Sequence, residues 1–545
     1  MTNPLVTIDQ PGLFLGSESY YEWNDKYAEQ NEIFKTAYKN YFADLAFQTC
    51  KDSGNSNCDR NAFFAEAEKV YKAENELASI SDSGVDRSSD EDLTWNKMTI
   101  SAFENVENVK VEAILKRVFQ PVGYDIDSST EINVRAVAFF EKFNDWINKQ
   151  DLATLNNLFV FRSTVQFIES LPDSYKSIRD DFNLVYTGTS KRRERYEICI
   201  DETINALPFP TSVLYLNEAY PPEAKADTEV MVDYILQSFS DVILDEQNDW
   251  MDAETKVKAH EKVDAVSTNI GYPDYIIDES DTRLDDDFAD LAIDQDMYTN
   301  YVNLLAFNHK NRLNVINSPI DNTAWDPSLP PAIVNAFYDP TQNSINFPAG
   351  ILQYPFYDNF QSMATNFGGI GVVIGHELTH GFDDSGALYG PTGNKENWWG
   401  DSTRVEFNKR GDAMAEQYSS YYWDQAKKNV NGRFTLGENI ADNGGLRESF
   451  FAYKQWLQDG NTDITLPGME EMTWEQKYFL GYAQVWCTLY TDEEASKRID
   501  TDVHSPAPFR VQGPLSNFDE FGKAFQCEQG KDVYFPKEED QVRVW

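Results

Sequence analysis

Val372-Val373-Ile374-Gly375-His376-Glu377-Leu378-Thr379-His380 sets two histidines four positions apart behind an apolar entry. On an α-helix such a pair shares one face and presents two ring nitrogens to one zinc ion. Glu377 lies beside them, placed to take a proton from water activated by the metal and pass it to a leaving amine. The pattern fixes only three positions, so a chance meeting on a buried helix is the competing reading. The chain has only five histidines, His260, His309, His376, His380 and His504, and their pairing here weighs against chance. A hydrolytic zinc site needs a third protein ligand and an open position. Glu438 is the candidate, opening Glu438-Asn439-Ile440-Ala441-Asp442. Its carboxylate and that of Asp442 stand one helical turn apart, so Glu438 can bind metal while Asp442 accepts a hydrogen bond from a ligand histidine. A solvated acidic helix face is the alternative for this pair.

Working outward, the chain has 545 residues, too many for one ordinary core, so two lobes are expected. A hydrophobic fraction of 41% and an aromatic fraction of 14% fit a folded globular protein. The formal charge of −45 repels polyanions and argues against nucleic-acid binding. No apolar run is long enough to cross a bilayer, and Met1–Gln10 lacks the basic-then-apolar pattern of an export signal. Cys50 and Cys58 flank a polar loop that closes as a small disulfide ring in an oxidising compartment, or stays as two thiols in a reducing one.

From Tyr20 to about Ile270 helical periodicity dominates, as in Asn31–Ala46 and Asn61–Ile80, with a polar interruption at Ser81–Asp92. Asp278–Asp287 is an acidic surface crossing between the halves. After Pro330, Ile333–Tyr338 and Ser344–Phe347 read as two strands around a turn at Asp339–Asn343.

His376–Asp384 and Gly437–Gly445 together closely resemble the neprilysin and endothelin-converting-enzyme family of zinc metallopeptidases. Asn335–Tyr338, Phe347–Gln353, Gln484–Cys487, Asp502–Pro506 and the final Val544-Trp545 match the same family in order. The first half resembles it more weakly, through Ile8–Pro11 and the Cys50–Cys58 loop. The resemblance implies that Asn335 and Ala336 hold the substrate backbone as an added edge strand. It implies that His504 stabilises the oxyanion, that Arg510 contacts a substrate carbonyl, and that Val373, Val485 and Trp486 line a pocket for a large hydrophobic residue after the cut. It also matches Cys50 and Cys58 to a local disulfide, and Cys199, Cys487 and Cys527 to cysteines whose partners lie in an amino-terminal stretch absent here. Any membrane attachment would come through that stretch.

The expected fold is mainly α with a small β-sheet, as a zincin-like catalytic lobe and a helical capping lobe. The expected division is a helical amino-terminal domain over 1–275, an acidic crossing over 276–330 and a zinc-binding domain over 331–545. The expected function is a zinc endopeptidase acting on oligopeptides; the alternative is a zinc-bearing protein that binds peptides or assembles without turning them over.

Overall fold

The computed structural model describes residues 4–23, 27–89, 91–107, 109–221, 223–246, 249–327 and 329–545. Met1, Thr2 and Asn3 of the segment read for an export signal, and Asp90 of the polar interruption, lie outside them. The first lobe is built on α1 (Ala28–Asp52) and α2 (Arg60–Ile80), and the Cys50–Cys58 disulfide closes the turn between them. Asp59 starts α2 by accepting the Asn61 N–H at 2.9 Å, which satisfies a donor that a helix end leaves orphaned. Tyr38, Tyr41, Phe161 and Phe182 interlock as ring pairs in the core of this lobe. A three-stranded sheet of β1 (Val6–Ile8), β2 (Lys97–Thr99) and β3 (Glu131–Val134) adjoins it. Strand β3 is central, parallel to β1 and antiparallel to β2.

The second lobe begins with helices around Phe209 and includes α3 (Ala253–Asp264), whose N-cap Asp252 accepts the Glu254 and Thr255 N–H groups. Next comes β4 (Ser267–Gly271), followed by the surface helix α4 (Met297–Asn314). Strands β5 (Phe337–Asp339) and β6 (Ser344–Pro348) then form a hairpin. In this sheet β6 is central, parallel to β4 and antiparallel to β5, which leaves β5 at an edge. Helices α5 (Val372–His380), α6 (Leu436–Gln458), α7 (Trp474–Val485) and α8 (Ala507–Ser516) complete the elements that carry the site. Among the described residues no helix is long and apolar enough to cross a membrane.

The mainly helical class with small sheets is as expected, but two local details differ. Ile333–Tyr338 is not a strand throughout: only Phe337 and Tyr338 of it lie in β5. The Ile333 N–H bonds Pro330 O at 3.2 Å and the Gly350 N–H takes Pro331 O at 2.9 Å, so the segment after the two prolines turns before it extends. The stretch 276–330 is also more than a crossing, because it contains α4. It runs from Ile276 in the second core to Leu313 and Ile316, which pack on the first.

The buried clusters divide between Phe182 and Phe209, far ahead of residue 275. Strand β4 explains this: its ladder partner β6 lies some seventy residues downstream, so α3 and β4 fold with the second lobe although they precede the crossing.

Helices α5 and α6 cross with almost no side chain between them. A Cβ placed on Gly445 would lie 2.4 Å from the His376 nitrogen and 2.6 Å from Val372 O, and one on Gly375 would lie 2.8 Å from the Gly445 Cα. Small residues at both positions let the backbones touch, which brings donors from two helices to one point. Gly445→Ala is expected to cost about 1–3 kcal/mol through overpacking, read as a lower Tm in thermal denaturation. An unchanged Tm would contradict this crossing.

Candidate metal centre and cleft

Helix α5 puts Nε2 of His376 and of His380 3.0 Å apart, with the rings perpendicular. Helix α6 brings Glu438 Oε2 to 3.3 Å from the first and 3.6 Å from the second. That oxygen is buried and makes no hydrogen bond. Burying a carboxylate oxygen unpaired is costly, so the position calls for a cation. Donors held at about 2.0–2.2 Å from one tetrahedral ion stand about 3.3–3.6 Å apart. Both carboxylate–imidazole separations fall in that range and the 3.0 Å between the two Nε2 atoms lies just below it, close to the size of a site for a small divalent metal. His376, His380 and Glu438 form the one group of potential metal donors of this kind among the described residues.

The opposite ring nitrogens are both occupied. His376 Nδ1 lies 2.9 Å from Asp442 Oδ1, and His380 Nδ1 lies 2.7 Å from Asp383 Oδ2. A carboxylate at Nδ1 accepts its proton and leaves the Nε2 lone pair free for metal. Arg510 on α8 grips Asp442 with two hydrogen bonds, Nε to Oδ2 at 2.8 Å and Nη2 to Oδ1 at 2.7 Å. Its guanidinium also stacks 4.0 Å from the Trp486 ring, just past the end of α7. The sequence expectation gave Arg510 to substrate; in the structure its strongest partner is Asp442.

His504 Nε2 lies 3.2 Å from Glu438 Oε2, and Asp502 Oδ1 holds Nδ1 at 2.8 Å. With its side chain 42% exposed, His504 is reachable from solvent. Glu377 is buried beside the histidine pair, and burial raises its pKa, against the pull of His376 and His380. Burial acts the same way on Glu438, but His380 and His376 outweigh it and hold that carboxyl well below its ordinary range. Val373 on α5, and Val485 with Trp486 at the end of α7, are half-buried. Asn335 is exposed and Ala336 buried, both immediately ahead of the edge strand β5, which packs on α5. Cys50 and Cys58 lie in the first lobe, apart from this cluster.

Sequence reasoning assigned no role to Asp383, although it stands three positions after His380 in the stretch already singled out. It also passed over Glu448, fully buried where α5 meets α6. Thr379 Oγ1 lies 2.7 Å from Gly375 O and 2.6 Å from Glu448 Oε1. One hydroxyl proton cannot serve both acceptors, so Glu448, whose pKa burial pushes well above the carboxylate range, is the protonated partner.

The lobes meet just ahead of His504. Asp500, on the helix Asp492–Thr501, accepts the hydroxyls of Tyr20 at 3.1 Å and Tyr27 at 2.8 Å, both from the first lobe, and pairs with Lys428 at 2.6 Å.

A His-Glu-x-x-His helix whose third donor is a glutamate from a second, crossing helix defines a gluzincin-type metallopeptidase. Residues 1–273 and 335–542 match Peptidase family M13. Human neprilysin is 34% identical over 552 residues, covering 100% of this chain and 72% of that protein. An endothelin-converting enzyme homolog from Locusta migratoria is 35% identical, covering 97% of this chain and 71% of its own. The crystal structure of a Mycobacterium tuberculosis zinc metalloprotease in complex with inhibitor superposes with a TM-score of 0.86 at 31% identity, over 100% of this chain and 78% of that one. The chain belongs to peptidase family M13 and is a metalloendopeptidase that requires a metal cofactor.

Proposed function

We propose that the chain is a zinc endopeptidase that cuts oligopeptides on the amino side of large hydrophobic residues. His376, His380 and Glu438 hold the ion. The observation that carries the reading is the convergence of one buried Glu438 oxygen, which makes no hydrogen bond, on two Nε2 atoms. Zinc, when bound, supplies a Lewis acid that polarises the scissile carbonyl and makes water nucleophilic near neutral pH. Glu377 takes the proton from the attacking water and returns it to the departing amine, so no covalent acyl-enzyme forms. Asp442 and Asp383 keep the ligand histidines in the tautomer with Nε2 free. His504, held at Nδ1 by Asp502, donates Nε2–H to the developing oxyanion in its imidazolium form, the form in which both ring nitrogens carry protons. Arg510 spends Nε and Nη2 on Asp442, which leaves Nη1 for a substrate carbonyl.

Asn335 and Ala336, at the edge of the β4–β6–β5 sheet, align the peptide as an added strand. Val373, Val485 and Trp486 receive the residue after the cut. The first lobe covers the cleft and restricts entry to peptides. With the Cys50–Cys58 disulfide, an oxidising, extracytoplasmic compartment is its place of action.

A mixture of short peptides, with and without chelator, tests this by mass spectrometry of the products. Cleavage before Phe, Leu, Ile or Tyr that stops with chelator and returns with zinc is expected. Peptides bound but recovered intact by the zinc-loaded protein would replace the enzyme with a binding protein.

A further inference from the structure

Lys262, on α3, is fully buried yet belongs to none of the groups described so far. Its Nζ donates to three backbone carbonyls at once, Gly381 O at 2.6 Å, Gly386 O at 2.8 Å and Tyr389 O at 2.7 Å. An amine has two N–H bonds and an ammonium three, so this geometry selects the charged form. Burial draws its pKa down to about 7, with Asp383 and Glu396 opposing the shift only in part, so it is the three converging carbonyls that favour the ammonium. The rings of Tyr338, Phe382 and Trp398 surround the cation at 5.3 to 5.9 Å.

The three carbonyls belong to the loop that follows the second histidine. Gly381 is the residue after His380. Gly386 donates its N–H to Asp383 Oδ1 at 2.6 Å, beside the Ser385 N–H at 2.8 Å, while the other oxygen of Asp383 faces His380 Nδ1. Lys262 therefore grips the loop on both sides of the carboxylate that orients a metal-binding ring. Its own carbonyl accepts Asn343 Nδ2 at 3.0 Å, and Asn343 Oδ1 accepts the Tyr338 hydroxyl at 3.0 Å, which ties the grip to the β5–β6 turn. Three indole N–H groups anchor the loop as well, Trp545 on Phe382 O at 3.1 Å, Trp399 on Ala387 O at 2.8 Å and Trp398 on Tyr389 O at 3.1 Å, but none of them reaches the carbonyls of Gly381 and Gly386 that flank Asp383.

We propose that Lys262 is a positioning residue for the metal site, fixing the loop Gly381–Tyr389 so that Asp383 holds His380 in its ligating orientation. The inference rests on the metal reading above. A lysine suits the task because a compact tetrahedral ammonium meets three converging carbonyls, whereas a planar guanidinium does not.

The test is a double-mutant cycle on zinc affinity, measured by competition with a chromophoric chelator at a temperature where circular dichroism shows every variant folded. Lys262→Met and Asp383→Asn are each expected to weaken zinc binding by about tenfold or more, the scale of losses behind metal-ligating histidines. The double variant is expected to be no weaker than the poorer single one, because both act through one contact. Wild-type affinity in Lys262→Met, or losses that multiply in the double variant, would overturn the proposal. If Lys262→Met does not fold, Lys262→Gln keeps two donors and is expected to give a smaller loss, again absent when Asp383 is replaced; multiplying losses would count against the proposal there too. A wild-type protein that binds no zinc would instead bring down the metal reading itself.

Discussion

Glu377→Gln is expected to lower kcat for peptide cleavage by about 10²–10⁴-fold while zinc stays bound with wild-type stoichiometry. The amide has the shape of the carboxylate and fits the same buried position between His376 and Leu378. It cannot accept and hold a proton, and Glu377 is none of the three donor side chains of the metal group. Loss of turnover without loss of metal or stability is thus the signature of a general base. Colorimetric zinc analysis, thermal denaturation and peptide kinetics on one preparation read all three. Substantial retained turnover would remove Glu377 from that role.

Glu438→Ala is expected to abolish cleavage by a different route, through loss of the metal. Two imidazoles remain after the change, but the anion that offsets the charge of the ion is gone, along with one of three ligands. A ligand that binds only the folded state stabilises it by RT ln(1 + [L]/Kd), about 2.7 kcal/mol at a hundredfold excess over Kd. The wild-type protein is therefore expected to lose Tm on chelation and regain it with zinc. Glu438→Ala is expected to melt at one temperature in both conditions. A zinc-dependent Tm shift of wild-type size in this variant would mean that the ion is held elsewhere.

Much of this arrangement was legible in the chain. His376 and His380 share a face because helical periodicity is local, and the motif sits in an apolar run that favours a buried helix. Glu438 and Asp442 stand one turn apart for the same reason. Asp383 was also within reach of local reasoning, since it follows His380 by three positions. The acidic pair gave no hint of Arg510, because an arginine sixty-eight residues after Asp442 becomes a bidentate partner only when α8 packs beside α6. The strand reading of Ile333–Tyr338 runs too long because its β-branched and aromatic residues favour a strand, while the turn after Pro330 and Pro331 depends on carbonyls that sequence does not display.

By itself the sequence determined the helical class, the peptidase family and the pattern of donor side chains, all consequences of side-chain identity at short spacing. Only the tertiary structure decided where the lobes divide, since strand pairing between β4 and β6 draws residues before the crossing into the second core. It alone showed the grip of Lys262 as well. That residue binds main-chain carbonyls, which every residue carries alike, so no side-chain pattern marks the partner until folding brings the loop to it.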